Sequence, residues 1–192
     1  MKKAPTITER LSREAFSALA QHYTQPLHVF LCGLTHDPEL ARDLLQDTFT
    51  AAWNAAQHGS EPLVNNGNAS GVQSWLYRVA YRRAVDVLRR RRLIRWESLH
   101  DLLDREELPE AANASSFEEI VAEHEAMGRA LAALTPEDSA CLLLMVVQGF
   151  TAREAALIIG SSPAAMGKRI GRAKRRLLAA YLAQDASATE GQ

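Results

Sequence analysis

Between Thr151 and Arg176 the chain carries a run that few folds accommodate. Thr151-Ala-Arg-Glu154 has the spacing of a capping box, in which the cap and the residue three positions on exchange hydrogen bonds at a helix start. Gly160 then breaks that helix, and Ser162-Pro163 starts another. Small Ala156 suits a crossing of two helices, and apolar Ile159, Met166 and Ile170 stand where they would lock the crossing angle. The pattern predicts a helix-turn-helix with Met166 and Ile170 facing inward.

The second of these helices carries Lys168, Arg169, Arg172, Lys174, Arg175 and Arg176 and no acid from Pro163 to Arg176. A helical hairpin with a solvated basic face would share the charges, but not cap, turn glycine and spacing together. The element is therefore read as DNA-binding. Lys168, Arg169 and Arg172 lie nearer the groove, with Ser162 and Ala165 beside them. Lys174, Arg175 and Arg176 lie further along, where phosphates would be met.

A second basic surface is far away in the chain. From Ser74 to Arg92 there are seven arginines and one acid, Asp86, on an amphipathic pattern with Leu76, Ala80, Ala84 and Val87 or Leu88 as the buried stripe. Arg78, Arg82, Arg83, Arg89 and Arg90 are candidate nucleic-acid contacts. Trp75 and Tyr77 are either platforms for unstacked bases or core residues, and periodicity alone leaves both roles open.

The net charge of −1 hides this segregation. Eight arginines and one acid lie between Arg78 and Arg95, whereas ten acids and one base, Arg105, lie between Glu97 and Glu125. The acidic block would repel DNA or shield a basic face. Ala, Leu, Arg and Glu dominate a chain with only 10 Gly, so the whole is predicted to be all-α.

Helix signals divide the chain. Thr8 is read as the cap of a first helix that Pro26 interrupts. Asp37-Pro38 starts a second, with Ala41, Leu45, Phe49, Ala52 and Ala56 on one face. Residues 57–73, rich in Gly, Asn and Pro, read as a loop, and Ser74 as the cap of the arginine helix. Phe117, Ile120 or Val121, His124, Met127, Leu131 and Leu134 form another stripe, and Thr135-Pro136 starts a helix that Gly149 ends. The expected organisation is two small helical domains, 1–96 and 117–186, joined by an acidic flexible linker over 97–116. The second is a four-helix domain, and 187–192 is a disordered tail.

No carboxylate pair, glycine-rich phosphate loop, nucleophile motif or metal-ligand spacing appears, so neither an enzyme nor a cofactor is expected. Cys32 and Cys141 each sit in apolar runs and read as buried thiols. No apolar stretch could span a bilayer, and Met1-Lys2-Lys3 has no signal-peptide core behind it, so no membrane insertion and a cytoplasmic location are expected.

Together these features resemble the extracytoplasmic-function group of bacterial sigma factors, from about Phe16 to Tyr181. Asp37-Pro-Glu-Leu-Ala-Arg-Asp-Leu-Leu-Gln-Asp-Thr-Phe-Thr-Ala-Ala-Trp53 is similar to the family's core-polymerase-binding helix. Trp75-Leu-Tyr-Arg-Val-Ala80 leading into Asp86-Val-Leu-Arg89 is similar to its promoter-melting and minus-ten region. Ala130-Leu-Ala-Ala-Leu-Thr-Pro136 with the helix-turn-helix is similar to its minus-thirty-five domain. The resemblance implies a non-catalytic subunit that binds core RNA polymerase through Asp43, Gln46, Asp47 and Trp53, selects promoter DNA, and helps open it. It also implies an anti-sigma factor as partner. Arg82 stands where the family usually has Asn, Ala155 where it has Ile, and Gly167 where a base is common. A stand-alone helix-turn-helix regulator is the alternative but leaves the first half without a role. A sigma-like decoy for a regulatory protein is a further one, and it would be expected to lose the basic residues kept here.

Overall fold

The computed structural model describes residues 12–57, 69–98 and 126–189, and the side chains within them at 12–57, 71–91 and 126–183. Its elements are α1 (Arg13–Thr35), α2 (Pro38–Gln57), α3 (Ala69–Ser98), α4 (126–132), α5 (Pro136–Leu142), a π-helical turn (Leu143–Val147), α6 (Ala152–Ile159) and α7 (Pro163–Thr189). All are helical, as expected. Thr8, most of the 57–73 loop, nearly all of the acidic linker and the Phe117 to His124 stripe lie outside the described residues.

Ser12 caps α1, its side chain accepting from the Ala15 amide. The expected break at Pro26 does not occur, and α1 runs through it. A mid-helix proline costs about 3 kcal/mol. The buried stripe Tyr23, Leu27, Phe30, Leu31 and Leu34 spans the proline, and each such side chain contributes about 1.5–3 kcal/mol on burial, enough to hold both halves on one axis. His36 ends the helix in the left-handed region at φ 54°, its amide donating to the Cys32 carbonyl at 2.9 Å.

Asp37 is the cap expected for α2, accepting from the Leu40 amide at 2.9 Å. Ala41, Leu44, Leu45, Thr48, Ala52 and Ala56 turn into the core. α3 begins at Ala69, so Ser74 lies inside the helix and not at its cap. Gly71 is absorbed into the first turns at about 1 kcal/mol relative to Ala, a cost that packing of Leu76 and Tyr77 outweighs.

The second half follows its caps closely. Thr135 caps α5 and Pro136 takes its first turn. In α4 the side facing the core runs through Ala130, which leaves Met127 exposed rather than within the expected stripe. α5 then widens into the π turn, closed by the Gln148 amide on the Leu143 carbonyl at 2.9 Å. The widening buries Leu143 and Leu144 and leaves Val146 and Val147 exposed. The Thr151–Glu154 capping box is complete, and Gly160 ends α6 at φ 80° with the Gly160 and Ser161 amides both on the Ala156 carbonyl. α7 continues to Thr189, past the start of the expected tail.

The two expected units, α1–α3 and α4–α7, share one hydrophobic core, with α3 packed on α6 and α1 on α5 and the π turn. Tyr77 is the joint. Its ring packs edge-on to Phe30 of α1 at 5.2 Å and to Phe150 at 5.0 Å. Gly33 lets α1 approach the π turn, since a Cβ there would meet a Leu143 methyl at 2.9 Å.

Candidate DNA and polymerase surfaces

On α7, Met166 and Ala173 are buried, with Ile170 half-buried between them, which fixes the inward side. Lys168, Arg172 and Arg175 follow at intervals of four and three and are all exposed, so they form one outward line. Arg172, Arg175 and Arg176 with Ala179 line a shallow groove along that helix. Lys174 is also exposed. Ser162 caps the helix by accepting from the Ala165 amide at 3.2 Å, and the half-buried Ala165 is inside the first turn.

Arg169 and Arg176, seven residues apart, share the flank of the helix beside that line. Both turn to Asp138 of α5, Arg176 at 2.7 Å and Arg169 at 3.7 Å. The Asp138 side chain is only 5% exposed, and its own backbone amide donates to the Thr135 cap. The Nε of Arg169 is buried without a hydrogen-bond partner among the described residues. The Arg169 charge is also felt on α3: burial pushes the Tyr81 hydroxyl up to about 12, Glu137 adding to the rise and the Arg169 guanidinium opposing it.

On α3, Arg82, Arg89 and Arg90 are exposed, Arg89 lying 3.6 Å from Asp86. Arg83 reaches across to Asp47 of α2 at 3.2 Å, and Arg91 to Asp37 at 2.9 Å. Accepting from the Leu40 amide and from Arg91 holds the Asp37 carboxyl below the usual carboxylate range. Arg78 is half-buried, its Nε lacking a partner among the described residues. Trp75 is half-buried against the core and Tyr77 wholly buried, so in this packing Tyr77 has no face to offer a base.

On α2, Asp43, Gln46 and Asp47 are exposed on the side opposite the buried stripe. Trp53 packs edge-on to Phe16 of α1 at 5.1 Å. The structure thus brings the acidic face of α2 beside the basic face of α3, and sets the α7 line apart from both. Asp138, Gln148 and Arg91 carry tertiary contacts that sequence reasoning did not single out. Cys141 is buried; Cys32 is half-buried, with Sγ 3.5 Å from His28 Nε2. Among the described residues no cluster could hold a metal, and no helix is long and apolar enough to cross a membrane.

Residues 19–94 match the family model for Sigma-70 region 2, and residues 124–177 that for Sigma-70 region 4. The chain belongs to the sigma-70 family, and relatives it matches are of the extracytoplasmic-function group. It is 30% identical over 161 residues to the ECF RNA polymerase sigma factor SigE of Mycolicibacterium smegmatis, matching 83% of this chain and 57% of that one. It is 28% identical to the ECF RNA polymerase sigma factor SigM of Mycobacterium tuberculosis, over 86% of this chain and 76% of that one. Thus the chain spans little more than half the length of the first relative. The fold is also that of CnrH, solved in complex with the cytosolic domain of CnrY, at TM-score 0.58 and 22% identity over 88% of each chain. It matches the sigma factor RpoE of Bartonella quintana, solved with the anti-sigma factor NepR, at TM-score 0.61 and 22% identity, over 85% of this chain and 96% of that one.

Proposed function

We propose that this chain is a sigma factor that binds core RNA polymerase and directs promoter-specific initiation. The observation that carries the reading is the outward line Lys168, Arg172 and Arg175 on α7, presented by a fully capped helix-turn-helix. A regular helix with an unbroken basic line fits the major groove and the phosphates beside it. α3 supplies the second DNA surface, with Arg82, Arg89 and Arg90 outermost and Trp75, Arg78 and Arg83 behind them. Asp43, Gln46 and Asp47 on α2, with Trp53 at its far end, would meet a basic polymerase surface. The chain acts in the cytoplasm as a non-catalytic subunit, and an anti-sigma factor is its expected regulator, since the similar sigma factor RpoE of Bartonella quintana is solved with the anti-sigma factor NepR.

Use of both DNA surfaces at once requires the shared core to part. Elements named minus-ten and minus-thirty-five lie about 25 base pairs apart, or about 85 Å at roughly 3.4 Å per step. α3 and α7 both pack on α6, at helix-to-helix spacings on the order of 10 Å, so their exposed faces lie far closer together than that. The packed chain is therefore the resting form, and promoter engagement separates α4–α7 from α1–α3.

The test is co-purification with core polymerase, followed by run-off transcription from a genomic fragment recovered by the reconstituted holoenzyme. Binding of core together with initiation from a defined start supports the reading. Specific DNA binding with no association to core would instead identify a stand-alone regulator.

A further inference from the structure

Asp138 is a charged side chain that no part of the functional reading uses. It is 5% exposed, and it faces two guanidinium groups, Arg176 at 2.7 Å and Arg169 at 3.7 Å. Burying a carboxylate against arginines adds little stability compared with an apolar contact of the same volume. What such a pairing does is fix where the cations point. Here the two cations belong to the helix that carries the DNA-facing line, and they stand seven residues apart on its flank.

We infer that Asp138 is a specificity-determining positioning residue of the helix-turn-helix: it withdraws Arg169 and Arg176 from duplex DNA and leaves the line Lys168, Arg172 and Arg175, with exposed Lys174 on its other flank, as the cations that meet it. The inference rests on reading α7 as the DNA-contacting helix. The sequence divides the six cations on α7 only by position along the helix. The structure divides them by what lies behind each. Arg169 is held deepest, its side chain 26% exposed and its Nε buried, so it cannot reach a groove edge while paired. Arg176 is 57% exposed yet takes the shorter bond, so its guanidinium is oriented by Asp138 and part of its charge is offset. Without the carboxylate, both long side chains would swing to any phosphate within reach. Phosphate contacts strengthen binding to all sequences alike, so discrimination would fall as affinity rose.

The experiment uses the full chain with two duplex probes, one selected from a random library by the wild-type holoenzyme and one scrambled, across a salt series. Each phosphate contact contributes about 0.9 to the slope of log affinity against log salt. Asp138→Asn should bind the scrambled duplex more tightly, with a slope steeper by about one to two units, and the ratio of selected to scrambled affinity should fall. Asp138→Glu should restore the wild-type slope. In an Arg169→Gln, Arg176→Gln background, Asp138→Asn should have no further effect on slope. A folded Asp138→Asn variant with wild-type slope and ratio overturns the proposal and makes Asp138 a helix-packing residue only. If that variant does not fold, the guanidinium ¹⁵N resonances of the wild-type chain decide. Those of Arg172 and Arg175 should move on adding the selected duplex while that of Arg169 stays, and movement of Arg169 together with Arg172 overturns the proposal. A wild-type chain that binds core polymerase but shows the same affinity for both duplexes sinks the reading of α7 itself, a distinct outcome.

Discussion

Gln148 accepts the Tyr77 hydroxyl at 2.5 Å while its amide reaches the Pro26 carbonyl at 3.4 Å, so one side chain ties α3 and α1 to the segment following the π turn. The pair joins residues 71 positions apart and sits beside the Phe30, Tyr77 and Phe150 rings. The two halves are thus held by a polar bond within an apolar seam, where an unmade bond is costly.

Tyr77→Phe removes that bond and keeps the ring. The Gln148 oxygen is left without this donor, which should lower stability by about 1–3 kcal/mol. Thermal unfolding checks the size. Hydrogen exchange should show the added opening at the seam between α3 and α5–α6, with the contact between α1 and α2 unaffected. A uniform loss of protection across all helices would contradict a seam role.

Gly33 tests the closest approach of the two halves. Gly33→Ala should be nearly neutral, since the gain in helix propensity of about 1 kcal/mol offsets displacement of a flexible Leu143 methyl. Gly33→Val should cost about 1–3 kcal/mol by overpacking. Combined with Leu143→Ala it should cost less than the sum of the two single changes, and strict additivity in the cycle would show that the two residues do not meet.

Alkaline pH should loosen the same core. Burial raises the Tyr81 hydroxyl from 10.0 to about 12 and pushes Tyr77 higher still. A raised folded value means that stability is fully present below pH 10 and is lost as pH climbs through 12. The tyrosinate absorbance of Tyr77 and Tyr81 should therefore appear in a late step above the ordinary tyrosine range, coinciding with loss of near-ultraviolet circular dichroism. A single step near the ordinary value would place both tyrosines in solvent.

Replacing Gln46 and Asp47 together by Ala should weaken association with core polymerase at unchanged helical content, because both are exposed on α2 and neither supports the core. Asp47 also neutralises Arg83, so the same variant should bind duplex DNA with a salt slope steeper by up to about 0.9. Core association measured by native gel shift checks the first effect, and undiminished association would remove this face from the polymerase contact.

The helix ends were legible where a side chain signs them. Asp37, Thr135, Thr151 and Gly160 act locally, through hydrogen bonds or a positive φ within a few residues. Pro26 and Ser74 misled because local preference was overridden by stripes that pack on both sides of them. Nothing local marks the π turn at Leu143–Val147, which follows from what Leu143 and Leu144 find to pack against. For the site, residue types were readable and orientation was not. Arg169 and Arg172 look alike in sequence, and only Asp138, 38 positions from Arg176, separates them. Burial of Tyr77 likewise depends on Phe150, a partner from the other half of the chain.

The central claim is that α3 and α7 read two separate promoter elements once the chain is on core polymerase. Methylation interference on the promoter recovered by the holoenzyme tests it most directly, with wild-type protein and an Arg172→Gln, Arg175→Gln variant compared side by side. Two clusters of sensitive bases, spaced as the minus-ten and minus-thirty-five elements are, should appear with the wild type, and only the upstream cluster should vanish with the variant. A single cluster, or an upstream cluster indifferent to the variant, would contradict the account.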